Sequence, residues 1–130
     1  MSPDVLDRTF AVLKPDLSVK RVDVSPSLYE DLDRDFSGFR GHVLISTHRF
    51  SEDWPGWERH PAGDEIVLLQ SGRATMVLRM ESGDEQVELS EVGSYIVIPR
   101  DTWHTARIST PAQMLFITPG EGTENRSEPS

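Results

Sequence analysis

The sequence predicts an all-β domain with one short helix. Apolar residues recur mainly in short runs typical of strands, turns containing Gly, Pro or Asp separate these runs, and one segment near the N-terminus has helical spacing. Seven or more short strands spaced in this way indicate a sandwich or a barrel. With 130 residues, of which 36% are hydrophobic, the chain is long enough for one core of ordinary size and too short for two.

The N-terminal part contains the helix, which we predict over residues 27–35. Leu28 and Leu32 lie four residues apart on one apolar face, Pro26 precedes the first turn, and Gly38 ends the segment. Carboxylates in its first half are favourable because the helix dipole is positive at that end. Two short strands are predicted before the helix, at residues 10–13 and 19–24.

The following strands form the predicted barrel. Ser71-Gly72 and Ser82-Gly83-Asp84 predict hairpin turns. After residue 118 the composition cannot build a core and predicts disorder. We therefore expect N-terminal strands and a helix in residues 1–39, a barrel in 40–118 and a disordered acidic tail in 119–130. The barrel strands are predicted at residues 42–50, 65–70, 73–81, 86–89, 94–99, 102–108 and 112–118.

The stretch Glu58-Arg-His60-Pro-Ala-Gly-Asp-Glu65 is the most informative one for function. Side chains two apart on a strand project to the same face, so Glu58 and His60 point the same way if the segment is extended. Gly63 permits a turn that brings Glu65 back across from His60. Downstream, Pro99-Arg-Asp-Thr-Trp-His104 supplies a second histidine. Imidazoles and carboxylates at these spacings suit a metal site.

This pattern resembles the cupin superfamily, whose first motif reads G-x5-H-x-H-x(3,4)-E-x6-G and whose second reads G-x5-P-x-G-x2-H-x3-N. The two motifs cover residues 52–108 of this chain. The resemblance implies a small single-domain cupin, whose fold is a double-stranded β-helix, a jelly-roll barrel with its site inside. The matching positions are His60, Glu65 and Gly72 in the first motif and Gly93, Pro99 and His104 in the second.

The chain departs from the family pattern at a ligand position. Glu58 stands where the family has its first histidine, so the implied ligands become two imidazoles and two carboxylates. Glu58 beside Arg59 is open to two interpretations, a ligand or a solvated carboxylate at the rim. For Glu65 the competitor is Asp64 on the opposite face, and the six-residue count to Gly72 favours Glu65. Three further positions depart from the motifs. Glu52 and Asp101 replace glycines at turns, and Ile108 replaces the final asparagine, a position that varies within the family.

The resemblance implies one divalent metal ion per chain, held by Glu58, His60, Glu65 and His104. The sequence contains no cysteine, so thiolate ligands are excluded. Such a donor set accepts Fe, Zn, Mn or Ni, and the residues do not choose among them. Burying these polar groups inside a barrel carries a large desolvation cost, which a cation offsets.

Two classes of function are compatible with this site. The first is a metal-dependent enzyme acting on a small molecule, of dioxygenase, isomerase or lyase type, and we favour it because all four ligand positions carry residues able to bind metal. The alternative is a non-catalytic cupin that binds or senses a small molecule, with the metal absent or structural. If the protein is an enzyme, His48, Glu58 and Tyr95 are the candidate catalytic groups for proton transfer.

Aromatic residues flank both motifs. They suit the mouth of a pocket or a substrate platform, although packing in the barrel or at a dimer interface is the commoner role. These residues are Trp54, Trp57 and Trp103.

The net charge of −9, from 22 acidic and 13 basic residues, argues against binding a nucleic-acid backbone. Individual basic residues near the motifs are still candidates for holding an anionic substrate. These candidates are Arg49, Arg100 and Arg107.

The sequence also bears on location and assembly. No apolar run approaches the roughly 20 residues of a membrane span. The stretch Met1-Ser-Pro-Asp-Val5 lacks the features of a secretory signal, which predicts a cytoplasmic protein with no membrane partner. Phe10 to Leu13 is an apolar strand before the motifs, and an exposed edge of that kind is a liability if it stays unpaired. We therefore expect a homodimer.

Overall fold

The computed structural model describes residues 1–129 and contains nine antiparallel strands, one α-helix and a short 3-10 turn at Ser37–Phe39. The predicted all-β class with one short helix is confirmed. The elements are β1 (Thr9–Leu13), β2 (Val19–Asp23), α1 (Leu28–Asp35), β3 (Val43–Phe50), β4 (Trp57–Arg59), β5 (Glu65–Met80), β6 (Gly83–Leu89), β7 (Tyr95–Ile98), β8 (His104–Thr118) and β9 (Glu124–Arg126).

Two long strands organise the sheet. Strand β5 pairs with β6, β7 and β8, while β8 also pairs with β3 and β4. Alternate residues of both strands point inward, and because these residues are apolar they form the core between the strands. The most completely buried side chains of this barrel core are Val67, Leu69, Met76 and Met114, each 0% exposed.

The predicted hairpin turn at Ser71-Gly72 is wrong, because β5 runs through it as a bulge. The pairing of β5 with β8 shifts register between Leu69 and Thr75. Gly72 has φ +75°, and a Cβ there would lie 1.9 Å from the carbonyl oxygen of Pro111. Glycine therefore lets two backbones approach closely inside a continuous strand, which a bulge accommodates without reversing the chain.

The N-terminal elements pack on the barrel and form a second core. Leu28 and Leu32 of α1 are buried against Phe10 and Val12 of β1, as the four-residue spacing predicts. Strand β1 lies between β2 and β3 and is paired on both sides. The exposed apolar edge expected at residues 10–13 is therefore covered within the chain itself, and the outer edge is β2. Helix α1 has 8 residues, and no helix among residues 1–129 is long and apolar enough to cross a membrane.

The C-terminal segment differs from the disordered tail expected for residues 119–130. Glu124–Arg126 forms β9, which pairs with β4. An Arg59 to Glu124 ion pair of 2.6 Å holds this strand, and the Arg126 guanidinium lies 5.4 Å from the ring centre of Trp103. Composition correctly indicates that this segment has no core of its own. Backbone pairing to β4 orders it instead. Residue 130 lies outside the described part of the tail.

Candidate metal centre and its cavity

Three strands bring carboxylates and imidazoles to the inner face of the barrel. Glu58 of β4 is directly opposite His104 of β8, and directly paired residues share a face. Glu65 begins β5 opposite Ile98, and the alternation Glu65, Val67, Leu69 is buried at 3%, 0% and 0% exposure. The chain turns after β4, so that Glu65 returns beside His60.

The four predicted ligands converge. Glu65 Oε2 lies 3.3 Å from His60 Nε2, and Glu65 Oε1 lies 3.2 Å from His104 Nε2. Glu58 Oε2 lies 3.5 Å from His60 Nε2. Glu58, His60 and His104 each offer one ligand atom within 4.8 Å of the others, so a His/Glu group able to hold a metal exists here. The motif spacing therefore predicts which side chains meet.

Hydrogen bonds on the far side of each imidazole fix its tautomer. His104 Nδ1 lies 3.0 Å from the carbonyl oxygen of Thr102, which can only accept. His60 Nδ1 lies 2.9 Å from Thr123 Oγ1, and that hydroxyl donates its proton to the Gly120 carbonyl at 2.9 Å. Thr123 must therefore accept from His60. Both Nδ1 atoms carry a proton, and in the neutral rings both Nε2 lone pairs face the cluster.

Three buried atoms of this cluster have no hydrogen-bond partner of acceptable geometry in the described chain: His60 Nε2, His104 Nε2 and Glu65 Oε1. Lone pairs that face one another in a buried site are unfavourable unless a positive charge lies among them. Ligands bonded to one ion at about 2.1 Å and 90 to 110° apart are separated by about 3.0 to 3.4 Å. The observed separations of 3.2 to 3.5 Å are similar, so the residues fit a divalent ion.

The electrostatics of the cluster favour an ionised Glu65. Burial alone raises the pKa of Glu65, but close contact with the imidazoles of His104 and His60 outweighs burial and lowers it to about 2. Thr118 Oγ1 also donates a hydrogen bond of 2.5 Å to Glu65 Oε2. Burial lowers the pKa of His104, whereas contact with Glu65 raises it, and the net shift is upward. Burial and the negative charge of Glu65 together raise the pKa of Glu58.

Glu58, His60 and Glu65 of the cluster line a cavity of about 1040 Å³, to which α1 and the C-terminal segment also contribute lining residues. Helix α1 contributes Tyr29, whose hydroxyl lies 3.1 Å from His48 Nε2 of β3. Tyr29 is 60% exposed as a whole residue, and it lines this cavity together with His48. Burial, followed by the charges of Glu58 and Glu65, raises the pKa of that phenol. Burial lowers the pKa of His48.

Tyr95, expected as a catalytic candidate, lies away from this cavity. It is 60% exposed on β7 and is paired with Leu68 of β5. Because Val67 and Leu69 point inward, Leu68 and its partner Tyr95 point outward. The other two candidates, His48 and Glu58, both line the cavity.

The remaining alternatives are resolved by position. Asp64 is exposed and its Oδ1 accepts a 2.7 Å hydrogen bond from the Arg100 backbone, which leaves Glu65 as the inward carboxylate. Trp54 and Trp57 line the cavity, whereas Trp103 is covered by the Arg59 guanidinium at 4.7 Å. The three arginines considered for an anionic substrate, Arg49, Arg100 and Arg107, are exposed and do not line it.

The sequence patterns missed several residues of the site. Thr123 and Arg126 lie in the segment expected to be disordered, and Tyr29 follows Leu28 on a helix that the strand motifs do not reach. Thr118 ends β8 beyond the last motif position. None of these residues has a characteristic spacing from the motif positions, so nothing in the motifs points to them.

Comparison with known proteins identifies the fold. No protein-family model matches the chain, and no curated protein matches its sequence. An oxalate oxidase structure is 22% identical with a TM-score of 0.51, over 62% of this chain and 44% of the other. A hydroquinone 1,2-dioxygenase from Sphingomonas sp. TTNP3, with 4-hydroxybenzoate bound, is 20% identical with a TM-score of 0.50, over 58% of each chain.

A cupin-2 domain containing protein from Shewanella frigidimarina is 17% identical with a TM-score of 0.49, over 65% of this chain and 71% of the other. The match therefore spans little more than half of the dioxygenase chain and less than half of the oxidase. Likeness at these identities establishes the fold alone. The chain shares the fold of the oxidase and the dioxygenase, which is the all-β cupin fold that its motifs predict.

Proposed function

We propose that the protein binds one divalent metal ion through His60, Glu65 and His104, with Glu58 as a fourth ligand or an outer partner, and acts on a small molecule in the adjoining cavity. The convergence of three buried atoms without hydrogen-bond partners supports this proposal most directly. The donor set excludes none of Fe, Zn, Mn or Ni.

The residues around the cluster have distinct roles in this proposal. A bound divalent ion would supply Lewis-acid chemistry to an oxygen atom of the substrate. Thr118 donates to Glu65 and Thr123 accepts from His60, so these hydroxyls orient a carboxylate and an imidazole. His48 lines the same cavity, where burial lowers the pKa of its imidazole, and it is the group we assign to hold or move a substrate proton.

Among enzymes, the proposal covers a dioxygenase, an isomerase or a lyase. The alternative is a non-catalytic cupin that binds or senses a small molecule. Glu58 in place of the family's first histidine favours that alternative. All four ligand positions still carry side chains able to bind a metal, two imidazoles and two carboxylates, and this favours the enzyme.

The metal proposal is tested by elemental analysis of untagged protein and by thermal shifts with iron, zinc, manganese and nickel. We expect about one ion per chain in the wild type and severe loss in His104→Ala, with a smaller effect in Glu58→Gln. His42→Ala is the matched control, because His42 is also buried and also bonds a nearby backbone carbonyl, that of Arg40 at 2.9 Å, but lies outside the cluster. Absence of metal together with no thermal shift would contradict the proposal.

The two function classes are separated by incubating metal-loaded protein with a metabolite extract, with and without oxygen, and following it by mass spectrometry. Oxygen-dependent consumption of a compound indicates a dioxygenase, and oxygen-independent conversion indicates an isomerase or lyase. Retention of an unchanged compound under both conditions supports the binding or sensing alternative. If the enzyme proposal holds, His48→Gln should abolish turnover while leaving the metal content intact.

A further inference from the structure

One wall of the cavity, beside the cluster, is built from aromatic rings. The ring centres of Phe50 and Trp54 are 5.4 Å apart, and Phe116 lies 6.1 Å from each of them. The Trp54 ring is 6.2 Å from that of His104. Phe50, Trp54 and Phe116 come from β3, the loop between β3 and β4, and β8, and all three line the cavity. Flat apolar faces of this kind accommodate a ring of the ligand beside the candidate metal centre.

A second polar point in the same cavity is formed by Tyr29 and His48. Their side chains are joined by the 3.1 Å contact between hydroxyl and Nε2. If the hydroxyl donates to Nε2, its oxygen still accepts a hydrogen bond from a ligand. If Nε2 carries the proton, the hydroxyl is free to donate instead. The pair therefore suits a ligand hydroxyl, which can both donate and accept.

The charges of the lining exclude another class of ligand. Arg126 is the only arginine or lysine among the described residues that line the cavity, and its guanidinium also stacks on Trp103. A carboxylate or phosphate would meet like charges with one cation to offset them, even after a divalent ion has bound. The lining carboxylates are Asp33, Glu52, Asp53, Glu58 and Glu65.

We propose that the cavity takes a neutral small molecule that carries an aromatic ring and a hydroxyl group. The ring lies against Phe50, Trp54 and Phe116, and the hydroxyl meets the Tyr29 and His48 pair. Carboxylates and phosphates are disfavoured. This inference rests on the proposed function, because it assigns the ligand class of the same cavity.

The test uses calorimetric titration of the full chain with 2-naphthol, which is neutral at pH 7, and with 2-naphthoate, its anionic counterpart. Both the zinc-loaded and the chelator-treated protein are titrated. We expect 2-naphthol to bind both forms, and to bind the chelator-treated form at least about tenfold more tightly than 2-naphthoate. Tyr29→Phe should weaken 2-naphthol about fivefold, the effect of one net hydrogen bond. Tyr95→Phe is the matched control, since Tyr95 is equally exposed but lies outside the cavity.

Three results would overturn the inference: no binding of 2-naphthol, binding of 2-naphthoate that is as tight, or equal effects of Tyr29→Phe and Tyr95→Phe. Zinc stoichiometry is measured on the same samples. Zinc binding without 2-naphthol binding contradicts the ligand class alone. Binding of 2-naphthol without zinc binding contradicts the metal proposal alone.

Discussion

Replacing Thr123 by valine should weaken metal binding although Thr123 is not a ligand. Its hydroxyl has two partners, His60 Nδ1 at 2.9 Å and the Gly120 carbonyl at 2.9 Å. Valine has a similar shape but removes both hydrogen bonds. The imidazole of His60 is 4% exposed, so its Nδ1 proton would have little access to water. We expect two separate losses, one in stability and one in metal affinity.

The expected losses in stability and in metal affinity have different magnitudes. A buried donor left without an acceptor costs about 1 to 3 kcal/mol of unfolding free energy. A neighbour that orients a metal-binding histidine typically contributes about 10- to 100-fold to metal affinity. We therefore expect zinc affinity to fall by about that factor in Thr123→Val, and Thr123→Ser to restore it.

Thr105→Val is the matched control for this change. The Thr105 hydroxyl also donates to a glycine carbonyl, that of Gly56 at 2.7 Å, but it does not hold an imidazole. Zinc affinity is measured by competition with a chromophoric chelator, and stability by urea unfolding of the metal-free protein. Thr105→Val should lose stability only. Wild-type zinc affinity in Thr123→Val, or an equal loss in Thr105→Val, would refute the assignment of Thr123 as the group that orients His60.

Three further outcomes are expected. Gly72→Ala should lower the free energy of unfolding in urea by about 3 kcal/mol or more, because it adds a backbone clash with Pro111 to the cost of a positive φ. Gly83→Ala is the control and should lower it less, because Gly83 also has a positive φ, +123°, but no atom lies within 4 Å of the added carbon. Burial lowers the pKa of His48, so the unfolded chain takes up this proton more readily than the folded protein. The free energy of unfolding of the wild type, relative to that of His48→Phe, should therefore fall as the pH drops through about 6.5. An unchanged difference between pH 8 and pH 5 would contradict this. Light scattering should give the mass of a homodimer rather than that of the 14.7 kDa monomer. We expect the two chains to pair at the outer edge beside β2, where Leu17 and Val19 are 76% and 59% exposed. A Val19→Lys variant should then be monomeric.

The spacing of the motifs was sufficient to predict which four side chains meet, because each lies on or beside a strand whose alternation is readable. The position of Asp101 illustrates how local the pattern is. It stands where the family has a glycine, and its φ of +64° is a conformation that aspartate tolerates better than most residues. The turn that precedes His104 is therefore kept although the glycine is not.

Which side chains of a strand point into the barrel could not be predicted where every position of the strand is apolar. Tyr95-Ile-Val-Ile98 shows no alternation, so only its pairing with β5 reveals that Tyr95 points outward. The sequence also could not predict that the C-terminal segment is ordered. Its three-residue strand is held by pairing with β4 and by the ion pair with Arg59, not by its own composition. Both features are properties of tertiary structure, which local patterns do not contain.

The ligands and their supports come from different parts of the chain, and this separates two properties of the site. Strands β4, β5 and β8 present the atoms that face the candidate metal position. Thr123 in the C-terminal segment and Tyr29 on α1 lie outside those strands and both line the cavity, but only Thr123 is bonded to a candidate metal ligand. A change at Thr123 should therefore alter metal affinity without changing which organic ligand is preferred. A change at Tyr29 should do the reverse, because no ligand atom of the cluster depends on its hydroxyl.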